Sequence, residues 1–387
     1  MIFLKRTWAE INLDNLAFNV KEIQKKLPDC TEMMAVVKAN AYGHGDRLIA
    51  NELQNLGIHL FGVSNLEEAI SLRNDNIKGE ILILGASPEN TAKELSEFNV
   101  TQTVFSLEYA KKLNEKAVEN SVTVNCHIKL DTGMGRIGFN CDNLEEIVSA
   151  YNLSNLNFTG IFSHLSSADD LSRTGKSYTL NQAERFNKTI ADLENKNVIF
   201  KTKHLQNSAG ILNYKDFKYD MVRAGIILYG LPVDTFKGCD IPLKPVMKLF
   251  STVSMVKDVK KGDFISYSRK FKAKKDMRLA TVPIGYADGY LRAFSNKARM
   301  IVNGHYADIV GAICMDQLLI NVTNIPNVKA GDTVTVVGAE NDCEITFSEL
   351  AKMADTIHYE LACLVGKRVP RVYQKNGKIF DVVDYII

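Results

Sequence analysis

Residues 33–45 read Met-Met-Ala-Val-Val-Lys-Ala-Asn-Ala-Tyr-Gly-His-Gly. The apolar run has strand length, ends on Lys38, and is followed by small residues and two glycines. A short run that is apolar on both faces suits a parallel strand covered by helices. A charged, unpaired lysine at the end of such a run is costly. The plain reading is a strand-end lysine whose amine reaches water. The sharper reading is a recessed amine with room beside it for a cofactor aldehyde, and with the Tyr42 hydroxyl near in sequence.

The same kind of run recurs seven more times before residue 230. Phe61–Ser64, Ile81–Gly85, Gln102–Ser106, Thr123–Leu130, Thr159–His164, Lys203–Asn207 and Met221–Arg223 are expected strands. Stretches with helical spacing lie between them, among them Asn65–Arg73, Leu107–Asn120 and Tyr178–Asn195. Strand followed by helix implies parallel pairing through crossovers. Eight units of roughly 25 residues each fit an α/β fold, a (β/α)8 barrel of the TIM type. A helix over Leu13–Lys26 precedes it. Beyond about residue 245 the texture turns to short strands with tight turns: Leu249–Val256, Asp276–Pro283, Ala298–Val302, Asp308–Ala312, Leu318–Val322 and Thr333–Val337. Only Phe347–Ala354 reads as helical there, and Thr7–Leu13 alternates as a further strand. The expected division is a barrel over 12–243 and a mostly β domain over 244–387, joined by the N-terminal strand within 1–11.

The chain has 387 residues and a net charge of +2, which argues against nucleic acid as the main partner. No run has the apolar length of a membrane helix, and the first residues do not form a signal peptide. Seven scattered cysteines without a C-x-x-C pair suit reduced thiols in a cytoplasm, and no metal site is expected.

In a barrel, the strand C-termini and the loops after them build the site. Lys38, Lys129 to Arg136, Ser163-His164, Asn207-Ser208 and Arg223 to Ile226 all fall there. Taken singly, His164 reads as a core histidine, Arg136 as a loop arginine paired with Asp131, and Ser208 as a helix N-cap. Their convergence on one rim favours a site. Barrels often hold a phosphate after strands seven and eight. Ser208 with the Gly225-Ile226 backbone, plus a lysine, suggests pyridoxal 5′-phosphate (PLP).

The residues A-V-V-K-A-N-A-Y-G-H-G (35–45), K-L-D-T-G-M-G-R-I-G-F (129–139), F-S-H-L-S-S-A-D (162–169), N-S-A (207–209), M-V-R-A-G-I-I-L-Y-G (221–230), I-S-Y (265–267), I-G-Y-A-D-G (284–289) and C-M-D-Q (314–317) resemble those of PLP-dependent alanine racemases. The likeness runs from Thr7 to Arg371. It implies a homodimer in which each β domain completes the partner's site, acting on a small amino acid. It implies that Lys38 binds PLP covalently. Tyr42, Ser208, Gly225, Ile226 and Tyr359 would contact the phosphate. Arg223 would face the pyridine nitrogen, and His164 would lie behind the ring. Tyr267 would be a second catalytic base lent by the other subunit. Arg136 and Met315 would touch the substrate, Lys129 resembles an often carbamylated lysine, and Tyr286, Asp169 and Arg292 resemble residues that narrow the entrance.

Inverting Cα needs a base on each face, Lys38 on one and Tyr267 on the other. A free phenol has a pKa of about 10 and needs cationic neighbours to act near neutrality. His164 and Arg223 are the expected members. Two positions depart from the family: Ala312, commonly arginine, and Ser268, usually glycine. They leave open a racemase for serine or a larger amino acid. A barrel-type PLP decarboxylase is a rival that lacks the glycine-run phosphate loop here. A non-catalytic PLP-binding barrel is another, against which the residues after 245 count.

Overall fold

The computed structural model describes residues 5–233 and 241–386. Residues 1–4, 234–240 (with Cys239) and 387 of the expected domains lie outside that range. Cα packing separates two units. One contains Met1–Leu16, Tyr42–Gly45 and Lys244–Ile387, the other Ala17–Ala41 and Asp46–Leu243.

In the second of these, among the described residues, eight parallel strands close on themselves. They are Glu32–Val36, Leu60–Val63, Glu80–Ile83, Val100–Val104, Val124–Asp131, Leu156–Phe162, Thr202–His204 and Met221–Ala224. Each pairs with its successor, and the ring closes where Met221 meets Glu32. The eight expected strands overlap these, but most real strands end earlier. The helices Leu66–Asn74, Leu107–Glu119 and Arg173–Glu194 start where the side chains of Asn65, Ser106 and Ser172 cap free N–H groups. Inside the barrel, Met34, Leu60, Leu82 and Met221 form an apolar cluster. Across from it the filling is polar: Thr101, Thr103, His127, Lys129, His204 and Arg223 are all buried.

Lys38 does not end the first strand, which stops at Val36. It opens a turn in which Ala39, Asn40, Ala41 and Tyr42 all take left-handed backbone, with φ of 54°, 54°, 51° and 52°. Each such residue costs about 1–2 kcal/mol. The strain is held by fixed contacts. Glu68 accepts the Ala39 N–H at 2.8 Å, and Asn40 Oδ1 accepts the Asp46 N–H at 3.0 Å. The Gly43 carbonyl accepts from Arg371 Nε and Nη2 at 3.0 and 2.8 Å, and the Tyr373 hydroxyl donates to the His44 carbonyl at 2.9 Å. At Gly43 a β-carbon would lie 2.1 Å from the Ala362 carbonyl oxygen, so the position admits only glycine.

The other unit has Thr7–Asn12 inside an eight-stranded sheet, counted over the described residues. The strand runs antiparallel to Met247–Thr252 and parallel to Arg371–Lys375. Three expectations fail here. Leu249–Val256 is not one strand: the chain leaves the large sheet at Thr252 and enters a three-stranded sheet at Met255, with the Val253 and Ser254 N–H groups bonded to Asp332 and Thr281. Asp308–Ala312 is mostly not strand; the strand is His305–Asp308, and Gly311 turns left-handed at φ 81°. Phe347–Ala354 is helical but has a companion, His358–Cys363, which is too short for its spacing to show. A two-stranded hairpin, Phe264–Ile265 with Phe271–Lys272, rests on a small core of Ile265, Ala273, Met277, Leu279 and Val310.

Arg371 is 1% exposed and donates to the carbonyls of Gly43, Gly366, Val369 and Val365. Arg371→Met should lower unfolding free energy by about 3–5 kcal/mol, because it strands four carbonyls. Urea unfolding followed by far-UV circular dichroism reads this, and a loss below about 1 kcal/mol would refute it.

Candidate active site

The polar side of the barrel mouth is organised by Arg223, on the last strand. It is 3% exposed. Its Nη1 donates to His204 Nδ1 at 2.8 Å, and its Nη2 donates to the carbonyls of Ser163 at 2.7 Å and Leu205 at 3.0 Å. Nη2 also lies 3.3 Å from His164 Nδ1. Burial pulls the Arg223 pKa down to about 9, which still leaves it charged at neutral pH. The Phe162 ring has both cations over it, Arg223 and Lys129, each at 5.3 Å.

His164 sits just past the sixth strand, between Arg223 and Asn207, whose Nδ2 is 3.5 Å from its Nε2. Burial, then Arg223, Lys129, Arg136 and Lys38, hold its pKa well below the usual imidazole value. That shift keeps His164 neutral and leaves Arg223 as the cation of the pair. Lys129 donates to the Leu130 carbonyl at 2.8 Å, and burial followed by Arg223 pulls it down to about 7. His127 and His204 are likewise held neutral, His127 at about 3, by burial and then by Arg223.

These shifts fix a sign. Each buried histidine binds its proton in the unfolded chain near pH 6.5 but not in the fold. Stability is full above that pH and falls as pH drops toward the folded value. Acid unfolding should therefore cost about 1.4 kcal/mol per pH unit for each histidine below pH 6. His127→Asn should flatten that slope by one histidine's share; an unchanged slope would show that His127 is charged in the fold.

Ser208 is not the N-cap of its short helix. That role falls to Asn207, whose Oδ1 accepts the Gly210 N–H at 3.0 Å. Ser208 Oγ instead accepts the Gly225 N–H at 3.0 Å, and Ile226 opens the next turn. Arg136 is not paired with Asp131. Asp131 accepts the Gly133 and Gly135 N–H groups at 3.0 Å each, and Arg136 is exposed in that loop.

In the other unit, Tyr42 and Tyr359 place their rings 6.4 Å apart. Burial, then Tyr359 and Cys363, raise the Tyr42 pKa, so its phenol keeps a proton to donate. Tyr267 is 67% exposed in the hairpin turn. Ser268 beside it takes φ 59°, the conformation a glycine would adopt without strain. Ser266 Oγ donates to the Ala312 carbonyl at 2.6 Å. The Tyr286 and Ala287 N–H groups donate to the carbonyls of Cys314 and Met315. A β-carbon at Gly285 would lie 2.3 Å from those same oxygens. The segments I-G-Y-A-D-G and C-M-D-Q are thus stitched together through backbone, and the Ser266 side chain ties I-S-Y to Ala312 just before C-M-D-Q, with Met315 52% exposed. Ala312 is buried.

Sequence reasoning missed Glu68, His204 and His127, and gave Asn207 no role of its own. His127 was findable, since it lies two residues before Lys129 and so shares its strand face.

The donors suit PLP. A lysine stands at the mouth for the aldehyde, and the Ser208 hydroxyl, which accepts from Gly225 and so keeps its own proton to donate, lies beside the Ile226 backbone for a phosphate. No carboxylate faces Arg223 among the contacts described. Among the described residues no group of three or more His, Cys, Asp or Glu is arranged to hold a metal, and no helix is long and apolar enough to cross a membrane.

Residues 11–232 match the family description "Alanine racemase, N-terminal domain" and residues 246–373 "Alanine racemase, C-terminal domain". Alanine racemase 1 of Clostridium acetobutylicum is 40% identical over 386 residues, covering 99% of each chain. The solved alanine racemase of Clostridium difficile 630 superposes with a TM-score of 0.93 at 37% identity, over 100% of each chain. A histidine racemase from Leuconostoc mesenteroides superposes with a TM-score of 0.87 at 30% identity, over 96% of this chain and 98% of that one.

Proposed function

Since the chain belongs to the alanine racemase family, we propose that it interconverts L- and D-alanine with PLP held at the barrel mouth. The observation that carries the reading is Arg223, a buried cation fixed by four contacts where the ring nitrogen is expected. When bound, PLP supplies an electron sink that acidifies the Cα–H of the amino acid.

The chain's own residues do the rest. Lys38 would hold the cofactor, and its amine would move the proton on one face of Cα. Tyr267 of a second copy moves it on the other, so the working form is a homodimer. Arg223 can only donate, so it would leave the ring nitrogen of bound PLP unprotonated and favour prompt return of the proton to Cα over transamination. His164, neutral, packs behind the ring. The Ser208 hydroxyl, oriented by the Gly225 N–H it accepts, the Ile226 N–H and the phenols of Tyr42 and Tyr359 would bind the phosphate, with Gly225 lining it through backbone. Arg136 and Met315 meet the substrate carboxylate. Lys129, near neutrality, has the free amine that carbamylation needs. Tyr286, Asp169 and Arg292 limit the side chain to a small one. The six cysteines described are all free thiols, which supports a cytoplasmic location.

Circular dichroism of a panel of L-amino acids with the PLP-loaded protein tests the reading. Loss of signal should be fastest with alanine. Faster loss with serine or histidine would reassign the substrate, and release of carbon dioxide would make the protein a decarboxylase.

A further inference from the structure

Arg223 is the upper end of a polar column inside the barrel that the proposed chemistry does not use. A guanidinium has no acceptor, so the 2.8 Å contact makes His204 Nδ1 the acceptor. A neutral His204 then carries its proton on Nε2, which points at His127 Nδ1 at 3.1 Å. His127 in turn carries its proton on Nε2, which faces the Glu80 carboxylate at 3.6 Å. The order is forced from one end: Arg223, His204, His127, Glu80.

Two features show that the column is built. The Phe162 ring stacks on His204 at 4.7 Å and 9°, which fixes the imidazole plane. Opposite His127 stands Gly160, where a β-carbon would lie 2.6 Å from Cε1 and Nε2 of the ring. The sixth strand thus leaves out a side chain where His127 needs room. Both histidines are fully buried, at 2% and 0% exposure. The charged groups around them are Arg223 and Lys129 toward the mouth and Glu80 at the other end, with Glu32, Lys201 and His59 near Glu80.

We propose that His127, seated against Gly160, is a positioning residue for Arg223: by accepting from His204 Nε2 it holds in place the imidazole whose Nδ1 anchors the guanidinium. This rests on the reading of Arg223 as the arginine that faces the cofactor ring. Without the acceptor on His127, the Nε2 proton of His204 is buried and unbonded. His204 then gains by tilting its ring to seek another acceptor, which carries Nδ1 away from Arg223 Nη1 and loosens the guanidinium.

The test uses the PLP-loaded protein labelled with 15N-histidine. In the wild type, multiple-bond 1H–15N spectra should show both imidazoles neutral with the proton on Nε2. In His127→Phe, the His204 Nε2–H resonances should shift to those of an unbonded imidazole N–H, the visible absorption maximum of the bound cofactor should move, and kcat should fall by about 10–100-fold with KM within about threefold. His127→Asn, whose Oδ1 can replace Nδ1 as acceptor, should restore the His204 Nε2–H resonances, the absorption maximum and most of kcat. Gly160→Ala, which pushes the ring aside, should behave like His127→Phe and serves if that variant does not fold. Unchanged His204 Nε2–H resonances in both His127→Phe and Gly160→Ala, or equal losses in His127→Phe and His127→Asn, would overturn the proposal. Failure of the Arg223 reading looks different: Arg223→Lys would then leave the absorption maximum in place while the His204 Nε2–H resonances still respond to His127→Phe.

Discussion

Lys38→Ala should abolish both the yellow absorbance of the PLP-loaded protein and racemisation. Lys38 is assigned two tasks, the covalent hold on the cofactor and the proton transfer on one face of Cα. Loss of a positioned base alone costs up to about 10⁴-fold, and loss of the covalent hold adds to it, so a fall of at least about 10⁴-fold is expected. The fold should survive, because Lys38 is only half buried and lies beyond the strand. A variant that keeps either the absorbance or the activity would show that the amine is elsewhere.

Tyr267→Phe should split the two directions of the reaction. Removing the phenol leaves the ring and the hairpin core in place, since the side chain is exposed and the core beneath is built from other residues. Incorporation of deuterium from heavy water at Cα of L-alanine should slow by about 10²–10⁴-fold. Exchange from D-alanine, assigned to Lys38, should stay within about tenfold. NMR of the Cα proton follows both. Equal losses would point to a single base. Mixing Lys38→Ala with Tyr267→Phe subunits should regenerate activity, because one mixed site holds both bases; no recovery on verified subunit exchange would place both bases in one chain.

The barrel was legible because its strands are short buried runs with little else to be. Each strand, once closed in a ring, is apolar outward and filled inward, so it shows as a run rather than as an alternation. The ends were less legible. The chemistry-bearing residues follow the last ladder bond, as Lys38 follows Val36, and nothing in the local sequence separates a strand's last residue from the loop after it. The left-handed turn at Ala39–Tyr42 could not be read at all. Alanine and tyrosine carry no preference for that backbone; distant groups such as Glu68 impose it. The break at Val253 was hidden for a similar reason, since a strand that changes sheets keeps its β-forming residues. Ser208 took a partner that no single-residue rule would give, and Asp131 turned to the N–H groups of its own loop and not to Arg136.

The four residues Tyr42–Gly45 pack with residues 244–387 although the chain places them between two elements of the barrel. The two units are therefore interleaved, not modular. A recombination crossover at the seam near Lys244 would join a Gly43 from one ancestor to an Arg371 from another, and an insertion near Gly43 would disturb a domain encoded two hundred codons downstream. Descendants of this architecture should exchange loops far more readily than they exchange domains.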